Sequence, residues 1–215
     1  MQILLCAATS FEIQPTVDFL KKEQIKKVDV LITGVGLTAA TYHITKAVNQ
    51  KRPDFILQAG VAGSLDESSP LSKVVLVKDE VIGDSGVFQN NSFHSLFDLN
   101  LAEGNTNPWH NSRLSNSIET LQQFDLPIVN GVTVNEISTN VDRINYYKSN
   151  LDAQIESLEG AALHYVALGE GIEFLQVRSV SNIIGERDKL KSQLAEAIAN
   201  LNVELQRIIL KLANQ

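Results

Sequence analysis

The chain has 215 residues, 44% hydrophobic and 20% charged, with a formal net charge of -7. That suffices for one domain with a sizeable core over residues 1–215 and excludes a disordered or low-complexity chain. The 18 Lys and Arg form no long run, so no nucleic-acid partner is expected. Cys6 stands alone, which rules out an intrachain disulfide, and it reads as a small buried hydrophobe. The start Met1-Gln2-Ile3-Leu4-Leu5-Cys6 lacks the basic stretch of a secretory signal, and the apolar runs are shorter than a bilayer span. A cytoplasmic protein with no membrane partner is expected.

Taken along the chain, short apolar and β-branched stretches predict strands over 3–7, 28–32, 55–59, 74–81, 128–134 and 174–177. Helices are predicted between them, over 14–22, 38–49, 113–123, 158–168 and 189–212. In the last of these Leu190, Leu194, Ile198, Leu201, Leu205, Ile208 and Leu212 recur every three or four residues, which makes it a structural lid on a sheet. Alternating strands and helices imply βαβ units. The expected fold class is α/β, a single-domain three-layer α/β/α arrangement around a mixed, largely parallel central sheet.

Glycines punctuate the predicted elements twice. Val30-Leu31-Ile32-Thr33-Gly34-Val35-Gly36-Leu37-Thr38-Ala39 reads as strand, turn and helix start, and satisfies the relaxed dinucleotide fingerprint G-x-G-x-x-A. A nicotinamide enzyme would also need an acid at the end of the next strand to hold the ribose, whereas Asp54 precedes that strand. Gly34 and Gly36 serve equally to let the chain turn tightly. The run Gln58-Ala59-Gly60-Val61-Ala62-Gly63-Ser64 reads as a second glycine turn. Two loops of bare backbone amides are therefore expected side by side at one sheet edge, with room for a flat ligand.

Arg178-Ser179-Val180-Ser181-Asn182 follows the strand over 174–177 and delivers the Asn182 amide to its carboxyl end, where open α/β sheets hold ligands. Upstream, Glu156-Ser157-Leu158-Glu159-Gly160-Ala161-Ala162 opens a helix with an acidic cluster. Together with an early acidic helix start at Glu12, the Thr33-Gly34-Val35-Gly36 turn and Ala59-Gly60-Val61-Ala62-Gly63, these segments resemble the purine nucleoside phosphorylase and nucleosidase superfamily over nearly the whole chain.

The resemblance implies a nucleoside phosphorylase-like fold, a small-molecule nucleoside substrate, no cofactor, and a homo-oligomer with subunits paired around the site. It implies that Glu12 orients and deprotonates an attacking water where phosphorylases carry a cationic phosphate cradle, since a carboxylate repels phosphate. On the residues alone, Glu12 is also simply an acid in a helix's first turn. The resemblance assigns Glu159 to the ribose hydroxyls and to the positive charge that builds as the glycosidic bond breaks. Glu156 is the neighbouring candidate, and a helix N-terminal acid is the plain alternative for both. Leu158 is expected to pack on sugar or base with Ser157 beside it, Ala62 and Gly63 to line the ligand, and Ile137 to stack on the purine. Relatives acting on 6-aminopurines carry aspartate where Asn182 stands. An amide can donate to O6 and accept from a protonated N7, so hypoxanthine or guanine is the expected leaving base.

Gly83-Asp84-Ser85-Gly86-Val87-Phe88, Phe93-His94-Ser95-Leu96-Phe97-Asp98-Leu99, Thr133-Val134-Asn135 and Ser181-Asn182-Ile183-Ile184-Gly185-Glu186-Arg187-Asp188 resemble the futalosine hydrolase family in particular. That narrower likeness implies hydrolysis of futalosine to hypoxanthine and dehypoxanthinyl futalosine in menaquinone biosynthesis. Phe88 and Phe93 become candidate walls for the aromatic tail of that substrate, with core packing the alternative for each. His94, beside them, is given a binding role. His43, His94, His110 and His164 show no ligand spacing, and no metal site is expected. A methylthioadenosine/S-adenosylhomocysteine nucleosidase, a purine nucleoside phosphorylase and a non-catalytic nucleotide-binding protein share enough of these features to stand as alternatives.

Overall fold

The structure, a computed structural model, describes residues 1–89, 92–185 and 190–213. Its elements in chain order are β1 (Ile3–Ala7), α1 (Ser10–Lys22), β2 (Val28–Ile32), α2 (Leu37–Gln50), β3 (Phe55–Ser64), β4 (Val74–Ile82), β5 (Gly86–Gln89) and β6 (Ser92–Ser95). There follow β7 (Leu114–Ser115), α3 (Ile118–Leu121), β8 (Ile128–Thr133), α4 (Val141–Ser149), β9 (Ile155–Ser157), α5 (Gly160–Glu170), β10 (Glu173–Ile183) and α6 (Leu190–Ala213). Lys189 and the motif residues Glu186, Arg187 and Asp188 lie outside the described residues.

The layers follow from the two-residue period of the strands. Ile3, Leu5 and Ala7 of β1 join Leu57 of β3 and Leu175 of β10 under α1 and α6, which contribute Ile13, Leu20, Leu201, Leu205 and Ile208. Leu4 and Cys6 point the other way, with Ile56 and Phe174, against Ala40 and Ile44 of α2 and Leu163 and Val166 of α5. The long helix α6 thus covers the sheet through Leu201, Leu205, Ile208 and Leu212 of the face its leucine spacing marks, as expected. No described helix is long and apolar enough to cross a membrane.

Strand neighbours run β10-β4-β8-β9-β3-β1-β2, with β7 beside β4 and β5–β6 a separate hairpin. β10 also pairs in parallel with β3, so β3, β9, β8, β4 and β10 close into a ring. The pairings β1–β2, β1–β3, β3–β10, β4–β8 and β8–β9 are parallel, whereas β4–β10, β3–β9 and β4–β7 are antiparallel. The sheet is mixed and largely parallel, as the alternation of elements predicts.

Two predicted boundaries are corrected. The strand expected over 55–59 continues to Ser64, so Gln58 to Ser64 is not a turn, and the strand expected over 174–177 continues to Ile183. Small residues there make room for crowded neighbours: a Cβ on Gly60 would meet the Arg178 guanidinium, and one on Gly63 would overlap Ile184. The helix expected over 113–123 is also wrong. Leu114 and Ser115 pair with β4, and only the short α3 follows, started by the Ser117 side chain accepting from Thr120 N.

Candidate active site

The chain leaves β1 at Ala7 and enters α1 through Thr9, whose extended backbone places it at the helix N-cap. Glu12 sits in the first turn, where its Oε2 accepts from Thr9 N at 3.0 Å and from Thr9 Oγ1 at 2.9 Å. That is the capping arrangement expected of any acid at this position. Its Oε1, however, reaches across to β3 and accepts from Val61 N at 3.2 Å, a bond that helix capping does not require. Glu12 is buried.

Glu159 lies at the N-cap of α5. Its Oε1 accepts from Gly36 N at 2.9 Å, and its backbone carbonyl accepts from Gln58 Nε2 at 3.3 Å. Gly34 and Gly36 have φ of 79° and 94°, left-handed values that favour glycine, so the turn they form also aims an amide at Glu159. The bond to Glu159 joins the β2–α2 turn to the head of α5. The dinucleotide-like spacing of these glycines therefore serves a carboxylate of the chain itself.

Between the two acids stands Arg178, 1% exposed, which the sequence reading left without a role. Nη1 lies 3.5 Å from Glu159 Oε2 and donates to Val61 O at 3.3 Å, and Nη2 donates to Gln58 Oε1 at 3.1 Å. A Cβ on Gly60 would stand 2.5 Å from Arg178 Nη1 and 3.0 Å from Glu12 Oε1, so the missing side chain lets both groups converge. A buried pair of this kind is costly to desolvate and needs such additional hydrogen bonds to persist. An arginine inside the apolar run Phe174-Leu175-Gln176-Val177-Arg178 was the available signal, because a fully buried Arg almost always has a partner.

Asn182 stands opposite Gly63 of β3, past a register shift after Val180. Its Oδ1 accepts from Ser181 Oγ at 2.9 Å and its Nδ2 donates to the Ile183 carbonyl at 3.1 Å, which leaves a second N–H on Nδ2. Gly63 also pairs with Glu156 of β9. Ala62, Gly63, Ser157 and Asn182 are thus carried by adjoining strands, with Glu159 at the head of α5 and Glu12 in the first turn of α1, though the Ser157 hydroxyl accepts from Gly160 N at 3.2 Å and starts α5. Leu158 packs against a cluster that contains Val132 and Tyr147. Glu156 accepts from Ser138 N at 3.0 Å, and burial raises its pKa above the usual carboxylate range.

The remaining candidates lie next door. Phe88, Phe93, His94 and Ile137 line a cavity of about 1320 Å³ together with Arg143 and Tyr146, and that lining does not include Glu12, Glu159 or Asn182. Phe93 meets the Tyr146 ring edge-on at 5.5 Å and carries the Arg143 guanidinium 5.0 Å from its centroid, so it is both wall and packing. Ser138 lines the cavity and holds Glu156, which pairs with Gly63, so one wall links the two spaces.

Below the site Glu80 is completely buried, also unforeseen from the sequence. Its Oε1 accepts from Gln176 Nε2 at 2.8 Å and its Oε2 from Thr133 Oγ1 at 3.0 Å. Thr133 Oγ1 in turn accepts from Ala161 N, in the first turn of α5, at 2.8 Å. Burial pushes the Glu80 carboxyl up to about 7, against the hydrogen bond from Gln176 and the charge of Arg178. His164, one turn along α5, meets the Leu114 carbonyl through Nδ1 at 2.9 Å, and burial pushes its imidazole down to about 4.

A family model for the phosphorylase superfamily matches residues 13–213. A futalosine hydrolase of Thermus thermophilus is 25% identical over 181 residues, spanning 83% of this chain and 80% of its own. One of Streptomyces coelicolor is 25% identical over 178 residues, 80% of this chain and 74% of its own. Among solved structures, the 5'-methylthioadenosine/S-adenosyl homocysteine nucleosidase of Campylobacter jejuni superposes with a TM-score of 0.80 at 13% identity over 100% of both chains. The 5'-methylthioadenosine nucleosidase of Arabidopsis thaliana gives 0.78 at 18% identity, over 99% of this chain and 96% of its own. Agreement of this extent at such identities establishes the fold.

Proposed function

The chain belongs to the phosphorylase superfamily, and on that premise we propose that it is an N-glycosidase that hydrolyses futalosine to hypoxanthine and dehypoxanthinyl futalosine. The observation that carries this reading is the convergence of Glu12 and Arg178 on one side-chain-free spot at Gly60, with the same Arg178 guanidinium paired to Glu159. Glu12 takes a proton from a water whose oxygen bonds to the anomeric carbon as the glycosidic C–N bond breaks, the electrons of that bond pass into the purine, and the base takes up a proton from solvent at N7. Glu159, held by Gly36 N and Arg178, faces the sugar and offsets its growing positive charge. The guanidinium nearest Glu12 is already engaged by Glu159, Val61 and Gln58, which favours water over phosphate as the nucleophile. The two futalosine hydrolase relatives support the choice of substrate. This reading includes a cytoplasmic location, a homo-oligomeric assembly and a place in menaquinone biosynthesis.

Incubation with futalosine, inosine and methylthioadenosine, each with and without phosphate, tests it. Hypoxanthine is expected from futalosine at a rate indifferent to phosphate. A phosphorylated sugar product would refute hydrolysis, and preference for methylthioadenosine would refute the 6-oxopurine assignment.

Asn182 provides a sharper check on the base. Its amide donates to O6 and accepts from a protonated N7, whereas a carboxylate would set two acceptors face to face at O6. A mispaired buried polar group costs about 1–3 kcal/mol, roughly ten- to a hundredfold in rate. Asn182→Asp is therefore expected to shift kcat/KM by about that factor from futalosine toward its 6-amino analogue. Unchanged selectivity would remove Asn182 from base recognition.

A further inference from the structure

Glu80, Gln176 and His164 form a buried row beneath the head of α5, and two atoms in it are mispaired. With Gln176 Nε2 donating to Glu80, Gln176 Oε1 and His164 Nε2, which face one another, have no hydrogen-bond partner. His164 Nδ1 meets a carbonyl and must carry a hydrogen there, so in the neutral ring Nε2 is a lone pair facing an amide oxygen. Turning the amide over leaves its shape unchanged and cures both faults, provided that Glu80 carries a hydrogen. We infer that Glu80, Gln176 and His164 share one proton, held on Glu80, and that this row is a positioning device for Glu159.

In that arrangement every member is satisfied. Glu80 O–H donates to Gln176 Oε1, Gln176 Nε2 donates to His164 Nε2, and His164 Nδ1 donates to the Leu114 carbonyl. Thr133 donates to the other Glu80 oxygen and accepts from Ala161 N, which pins the residue pair that follows Glu159. Gly131 and Gly160 both lack the Cβ that would overlap Glu80 Oε1, so the fold keeps this space for the carboxyl group. Placing the proton on His164 instead also satisfies the row, but as two separated buried charges, which a dry interior disfavours. The charged groups facing the row are Arg178 on β10, Glu159 ahead of α5 and Asp79 on β4, the last paired with Lys78 at 3.7 Å. β8 brings the Thr133 hydroxyl and β7 the Leu114 carbonyl.

The pH signature follows from the two displaced groups. Glu80 is raised from 4.5 to about 7 even against a hydrogen bond donated by Gln176, and turning the amide raises it further, so its contribution to stability is complete below about pH 4.5 and lost as pH rises through about 7 or above. His164 is lowered from 6.5 to about 4, so its contribution is present above about pH 6.5 and lost as pH falls through about 4. Between roughly pH 4.5 and 6.5 the two slopes oppose one another, because folding moves the proton from the histidine to the glutamate.

Glu80→Gln is the isostere of the protonated acid, and Glu80→Ala empties the space. Unfolding by urea from pH 4.5 to 7 is expected to show Glu80→Gln level with wild type near pH 5. Its folding constant then gains on wild type by up to about tenfold per pH unit as pH rises. Glu80→Ala should be weaker throughout. Parallel curves for wild type and Glu80→Gln, or a Glu80→Gln protein as weak as Glu80→Ala at pH 5, would overturn the shared proton. The effect on turnover rests on the nucleosidase reading: kcat/KM of wild type should fall above about pH 7 through a limb that Glu80→Gln lacks, a difference that a purely structural role would not produce. Diverging stability curves without any futalosine hydrolysis would uphold the proton and remove that reading.

Discussion

Glu12→Gln is expected to cut futalosine hydrolysis by about a hundred- to ten-thousandfold while hypoxanthine still binds. In the proposed mechanism the carboxylate is the base that activates water, and a positioned general base contributes a factor of that order. Glutamine preserves the shape but brings donors to Thr9 N and Val61 N, which already donate, so only an amide oxygen can face one of them. The cap of α1 weakens and the proton acceptor is gone, yet the segment around Asn182 is untouched. Single-turnover rates alongside equilibrium binding of hypoxanthine separate the two effects. A variant that turns over within about threefold of wild type would show that Glu12 is a cap and nothing more.

Arg178→Met should lower stability by about 3–5 kcal/mol, because it strips the partner from a buried carboxylate. Methionine fills much of the volume, so the loss reports charge and hydrogen bonding more than a cavity. Glu159 Oε2, Gln58 Oε1 and the Val61 carbonyl would all lose their donor. For a chain of this length such a loss corresponds to a fall in Tm of about 10 °C. Combining it with Glu159→Gln should restore part of that fall, since a neutral amide is cheaper to bury than an unpaired charge. An unaltered Tm for Arg178→Met would mean that the clamp contributes nothing to folding, and no recovery in the pair would mean that the loss does not come from an unpaired Glu159 charge.

The layers of the fold were legible because apolar spacing reports burial directly. Leu4 against Leu5, or Leu201 against Leu205, follow from period alone. The segments that build the site were not so plain. Gly60, Gly63, Ser179 and Ser181 carry the composition of a turn, whereas they lie in extended strands, where a Cβ on either glycine would strike a neighbour and both serines are buried. Local chemistry and tertiary crowding call for the same small residues, and sequence cannot separate the two. Glu12, Glu159 and Asn182 surfaced through resemblance, but Arg178 and Glu80 did not, since their importance lies in contacts between strands distant in sequence. β9 is too short to have a period, and Ser117 starts a helix where Arg113 to Gln123 reads as one continuous stretch.

The ring of strands also fixes when the protein can first work. β10 is inserted between β3 and β4, although more than a hundred residues are synthesised after β3 before β10 emerges. Until then a nascent chain presents two strands with bare backbone edges, the kind of surface that recruits chaperones or other chains. Pairing of such remote segments is slow, because a long loop must be ordered before any contact rewards it. Glu12 precedes Arg178 by more than 160 residues, so a product stalled short of Arg178 cannot hold both. On the proposed mechanism a chain stalled before Arg178 lacks the clamp on Glu159 and is expected to be inactive.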